Sequence, residues 1–155
     1  MQKITTFLTY DDQAEEAARL YVSIFEDNCR VGEVVPGPEG KVMTVTFELF
    51  GQTYVALNAG PSPEFRFSNG VSLMVHCKDQ PEVDRYWDLL TRDGGKEVMC
   101  GWCKDKFGLP WQIVPDGFFE MIKSKDRAKA GRAMQAMMKM KKLDLPTLTR
   151  AFDGE

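Results

Sequence analysis

No stretch of this sequence is long and apolar enough to span a bilayer. The opening Met1-Gln2-Lys3-Ile4-Thr5 lacks the apolar core of a signal peptide, so a cytoplasmic location is expected. The formal net charge is −3, which supplies no global basic field for nucleic acid. Neither a nucleic acid nor a membrane is therefore expected as a partner. No glycine-rich strand-turn-helix of the kind that holds a nucleotide-like cofactor is present, and no cofactor is expected. Histidine is reduced to His76 alone, and cysteine to Cys29, Cys77, Cys100 and Cys103. A chain of 155 residues can build a core without disulfide staples, so the four thiols read as free in a reducing compartment.

What is present is ordinary globular composition, 43% hydrophobic and 28% charged, enough for one domain or two small modules sharing a core. Lys3 to Tyr10 reads as a strand. Asp12 with Glu15 has the spacing of a capping box. Ala14, Ala17, Ala18, Tyr21, Ile24 and Phe25 then recur on one helical face. Strands follow at Cys29–Val35, Val42–Phe50 and Thr53–Asn58, separated by the turn signals Pro36–Gly40 and Gly51-Gln52. A Pro-rich connector from Ala59 to about Asn69 is the best internal boundary.

The second half repeats this order. Val71–Cys77 is a strand, and Asp79 with Glu82 repeats the cap. Val83, Tyr86, Trp87 and Leu90 form a helical face that ends at Asp93-Gly94-Gly95. Strands are expected at Glu97–Cys103 and Pro110–Val114. Gly108 precedes Trp111 by three residues, as Gly51 precedes Tyr54. Matched order, caps and glycine turns together argue for an internal duplication. Asp116 to Glu155 lies outside the repeat and reads as helical, with one helix over Asp126–Lys142.

Cys100-Gly101-Trp102, Asp105-Lys106-Phe107-Gly108 and Trp111-Gln112-Ile113 resemble the signature of the PhnB-like, demethylubiquinone methyltransferase-like group. Asp84-Arg85-Tyr86-Trp87, Ala14-Glu15-Glu16-Ala17 with Tyr21, and the Met-Lys-rich tail also match it. The group lies in the vicinal-oxygen-chelate (glyoxalase/bleomycin-resistance/dioxygenase) superfamily. The resemblance implies an α+β fold: two βαβββ modules with curved mixed sheets around a small-ligand cavity, and a homodimer. The modules fall at 1–66 and 67–118, followed by a C-terminal helical extension at 119–155. The βαβββ order differs from the alternation of a doubly wound sheet.

Enzymes of this superfamily often hold a divalent metal through His, Gln and Glu on the first and last strands of each module. The corresponding positions here are Thr5 or Thr6, Val55 or Ala56, Ser72 and Gln112. Gln112 alone is a plausible ligand, and one neutral amide holds no metal strongly, so no superfamily-type metal is expected. Ser72, Met74 and His76 share one strand face, which makes His76 either a general base in the cavity or a hydrogen-bonded strand-end histidine. Trp102 and Trp111 could stack on a planar ligand or pack between modules. The expected ligand-binding set is thus Ser72, His76, Trp102, Trp111 and Gln112, with His76 the catalytic candidate. Cys100 and Cys103 have CxxC spacing in a strand context, where buried structural thiols are the expectation. Met134, Met137 and Met138 are expected to pack on the body or on a second subunit.

Three functions follow in order: a metal-free small-molecule-binding protein of unknown ligand; a glyoxalase- or dioxygenase-like enzyme on a small oxygenated substrate; and a dimeric interaction protein using its Met/Lys-rich tail.

Overall fold

Alternating apolar and polar residues put β1 at Thr6–Tyr10, with Leu8 and Tyr10 turned inward. A computed structural model describes residues 2–155. It divides into two units, one ending at Arg66 and the other running from Phe67 to Glu155.

In the first unit β1 is followed by α1 (Ala14–Phe25), β2 (Arg30–Pro36), β3 (Val42–Leu49) and β4 (Gln52–Asn58). The sheet order is β1-β4-β3-β2, with β1 parallel to β4 and the remaining pairs antiparallel. The expected apolar face of α1 is buried in full, against Val45, Phe47, Tyr54 and Ala56. Each large side chain so buried contributes about 1.5–3 kcal/mol. The expected capping box at Asp12 is not formed. Gln13 occupies the N-cap without a side-chain bond. Asn58 takes over instead, accepting from the Ala14 N–H at 2.8 Å and donating to the Val42 carbonyl at 3.1 Å.

The second unit repeats the plan with β5 (Leu73–Cys77), α2 (Gln80–Thr91), β6 (Lys96–Glu97), β7 (Trp102–Lys104) and β8 (Pro110–Pro115). Its order, β5-β8-β7-β6, matches the first sheet, again with the outer strand parallel to the last. Asp79 caps α2, accepting from Glu82 N–H at 3.0 Å, and the Glu82 carboxylate accepts from Lys78 N–H at 2.7 Å. The chain is therefore α+β, with two βαβββ modules in open mixed sheets, followed by helices.

The strand expected over Glu97–Cys103 is broken. Cys100 (φ 64°) and Gly101 (φ 80°) form a turn, and their N–H groups donate to the carbonyls of Met140 and Lys141. The helices after β8 are α3 (Asp116–Ile122), α4 (Arg127–Met137) and α5 (Leu145–Asp153), so the tail helix stops short of Lys142. They close on Val114, Phe118, Ala133, Leu143 and Leu148. Of the expected Met stripe, only Met137 packs on the body. Ala130 and Ala133 are the buried residues of α4, Met137 is partly buried, and Met134 and Met138 are 37% and 60% exposed. Small alanines let α4 approach its neighbours closely, which the longer methionines would prevent.

Candidate functional site

The alternation of side chains splits the second sheet into two faces. Val75, Cys77, Cys103, Trp111 and Ile113 are buried on the face that α2 covers. Met74, His76, Trp102, Gln112 and Val114 alternate to the opposite face. There the strand register places Met74 and Trp102 on either side of Gln112, and His76 beside Val114.

Ser72 lies immediately before β5, and the Gln112 amide nitrogen donates to its hydroxyl at 2.8 Å. The amide oxygen has no partner among the described residues, and the serine hydroxyl keeps a proton to donate. Met74 is 42% exposed, so this part of the face is open. Trp102 is half-buried beside the amide. The structure thus brings Ser72, Gln112 and Trp102 together.

His76 is on the same face one step further along, but its ring is taken up by the helical extension. It stacks on Phe119 with centroids 4.7 Å apart and an interplanar angle of 24°. Its Nδ1 is 3.4 Å from Asp116 Oδ1, and both side chains are more than half exposed. Trp111 departs from the expected ligand contact. It neighbours Gln112 in the strand and so points to the other face, 2% exposed. Its indole N–H donates to Asp105 Oδ2 at 2.9 Å. The same buried carboxylate accepts from the Phe107 and Leu109 N–H groups through Oδ1. Asp105 thereby ties the β7–β8 turn to the core. Sequence reading took it as part of the family signature, and its spacing to Gly108 and Trp111 is the signal that finds this role.

Of the CxxC pair only Cys103 is buried as expected, and Cys100 is half-buried. Cys100 is in the turn and Cys103 is fully buried in β7. Burial pushes the Cys103 thiol up to about 12, and Cys77 likewise to about 12. Reactive thiols need the opposite shift.

Whether the residues fit a divalent metal can be read from the repeat. Tyr54 and Trp111 are equivalent after their glycine turns and pair with Thr6 and Leu73. The register thus moves the first-strand positions from Thr5 or Thr6 and Ser72 to Phe7 and Met74, which pair with Val55 and Gln112. Three of these four positions are apolar and the fourth is a neutral amide. Among the described residues no group of three or more His, Cys, Asp and Glu is arranged to hold a metal ion. This donor set does not fit a hard or borderline cation.

A groove of about 1100 Å³ in the first unit is lined by the β2–β3 turn, Asp11, Asp12 and the segment after β4. None of the expected site residues lines it, and its acids Asp11, Asp12 and Glu39 are on the exposed surface.

Two βαβββ modules with this strand order make up the paired-module fold that the sequence resemblance implies. The chain belongs to the PhnB-like family described as 3-demethylubiquinone-9 3-methyltransferase, whose family model matches residues 2–114. Among solved structures, it is similar to a Bacillus cereus protein titled as a putative 3-demethylubiquinone-9 3-methyltransferase, PhnB protein. Identity is 32%, with 74% of this chain and 99% of that one covered and a TM-score of 0.67. A Pseudomonas aeruginosa protein shares the fold at 18% identity, covering 74% and 98%, with a TM-score of 0.60. An Arabidopsis thaliana gene product does so at 19%, covering 74% and 98%, with a TM-score of 0.54. No curated protein matches the chain. The family match ends at residue 114, so the Met-Lys-rich tail lies outside it, contrary to the extent of the sequence resemblance. Family and fold point to a small-molecule-binding protein. No helix among the described residues is long and apolar enough to cross a membrane.

Proposed function

We propose that the open face around Gln112 binds a small planar molecule carrying a hydrogen-bonding oxygen, without a metal. The Ser72–Gln112 hydrogen bond beside exposed Met74 carries this reading. The amide oxygen would accept from the ligand, the serine hydroxyl would donate, and Trp102 would stack on its plane. Met74 adapts its unbranched side chain to the remaining edge. The methyl transfer in the family's description is not carried over, because neither sheet has the doubly wound order that seats a nucleotide-like cofactor.

Calorimetric titration with para-nitrophenol, a planar probe of this chemistry, tests the proposal. Gln112→Ala is expected to weaken binding roughly tenfold, about 1.4 kcal/mol. Added divalent cations are expected to leave both affinity and melting temperature unchanged. Binding that requires a cation, or a cation-dependent rise in melting temperature, would overturn it.

A second reading, an enzyme using His76, draws on the imidazole–carboxylate contact with Asp116. Its test is turnover of candidate oxygenated substrates by His76→Ala, and undiminished turnover would remove it. The proposal includes a homodimer, supported by the exposed apolar side chains Phe7 and Val71, and sedimentation equilibrium reads it directly. It also includes a cytoplasmic setting, consistent with four free cysteines; fractionation of the expressing cells tests it.

A further inference from the structure

We infer that the C-terminal helices set the length of ligand this face accepts, with Phe119 stacked on His76 as the end wall. It rests on Gln112 being the ligand's anchor and adds what limits the ligand beyond that anchor.

Successive positions on one face of a strand are roughly 7 Å apart, about one aromatic ring. From the Met74–Gln112 pair, the next pair along the face is His76–Val114. The extension borders that pair. Val114 is 5% exposed among Phe118, Ala133, Leu143 and Leu148, and the His76 ring lies against Phe119. At β7 this same end of the face also borders the extension. A Cβ on Gly101 would come within 3.0 Å of the Leu143 side chain and 3.2 Å of the Ile113 carbonyl oxygen. From the Gln112 anchor to this wall the face therefore runs about one ring's length.

The wall is pinned from the side away from the ligand. The Gln80 side chain donates to the Leu143 carbonyl at 3.0 Å and accepts from the Leu145 N–H at 2.7 Å. Lys142 pairs with Asp84 at 2.8 Å. The turn at Cys100-Gly101 donates to Met140 and Lys141. These bonds hold the extension to α2 and to the β6–β7 turn whether or not a ligand is present, so it acts as a fixed stop. It also begins where the family match ends, which makes the stop a feature added to the shared modules.

The experiment compares para-nitrophenol with its one-ring-longer homologue, nitrobiphenylol, by calorimetry on the full chain. The affinity ratio of long to short probe is expected to rise roughly tenfold in Phe119→Ala. A folded Phe119→Ala with an unchanged ratio overturns the inference. If that variant loses its melting transition, His76→Ala carries the test, since His76 is exposed and lies outside the helical cluster. A several-fold rise in the ratio is expected there, and no rise overturns the inference. Failure of the underlying reading is separate: para-nitrophenol binding would then be absent or indifferent to Gln112→Ala.

Discussion

Asp105 is a buried carboxylate with a structural task. It is 2% exposed and accepts from two backbone N–H groups and the Trp111 indole. Removing it leaves those donors unsatisfied, and charged hydrogen bonds of this kind carry about 1.5–3 kcal/mol each with partial compensation. Asp105→Ala is expected to cost about 3 kcal/mol in urea unfolding, and a loss too small to resolve would contradict the assignment. The thiols give a pH dependence. In the folded chain Cys77 and Cys103 are pushed up by burial to about 12, from an ordinary value of 9.0. The folded state keeps these protons in a range where the unfolded state has released them. Stability is then full below the unfolded value and falls as pH rises from 9.0 toward about 12. Unfolding free energy measured over that alkaline range is expected to decline, and a flat profile would contradict it. The placing of Trp111 was legible in the sequence: adjacent strand residues take opposite faces, so Trp111 and Gln112 could not both line one site. Its equivalence to buried Tyr54 says the same. That Phe119 takes up His76 was not legible, because the two meet only through tertiary packing.

At the scale of elements, caps and turns fix the modules. Asn58→Ala is expected to destabilise by about 1–2 kcal/mol, since it removes the bond to the first turn of α1 and the one to β3. Asp12→Ala is expected to change stability by less than about 0.5 kcal/mol. Thermal unfolding of the two variants decides, and the reverse order would restore Asp12 as the cap. A Cβ on Gly95 would lie 2.6 to 2.8 Å from Leu90 O, Thr91 Cα and Lys104 O, all backbone atoms that cannot swing aside. Gly95→Ala is expected to cost more than about 3 kcal/mol, read as a drop in the urea midpoint. Local signals found α1 from its apolar period alone, and α2 and the glycine turns where period, cap and turn residue agree. They missed the break at Cys100, a non-glycine residue at positive φ held by carbonyls some forty residues on. They also missed Asn58, whose partners Ala14 and Val42 lie 44 and 16 residues away.

At the scale of the whole chain, the duplication explains what was legible and what was not. Order, pairing and core faces recur in both units, so the fold could be read from two weak copies of one pattern. The proposed function lies where the copies diverge: Gln112 replaces an apolar Val55, and helices after residue 114 border one sheet. A sequence with one histidine and no cation-holding pattern shows what this face lacks more readily than what it takes. The most direct measurement is amide- and indole-shift mapping by NMR during titration with para-nitrophenol, with and without a chelator. Shifts are expected to centre on the Gln112 side-chain amide, Ser72, Met74 and the Trp102 indole, and to be the same when the chelator is added. Shifts centred elsewhere, or lost on chelation, would contradict a metal-free site on this face.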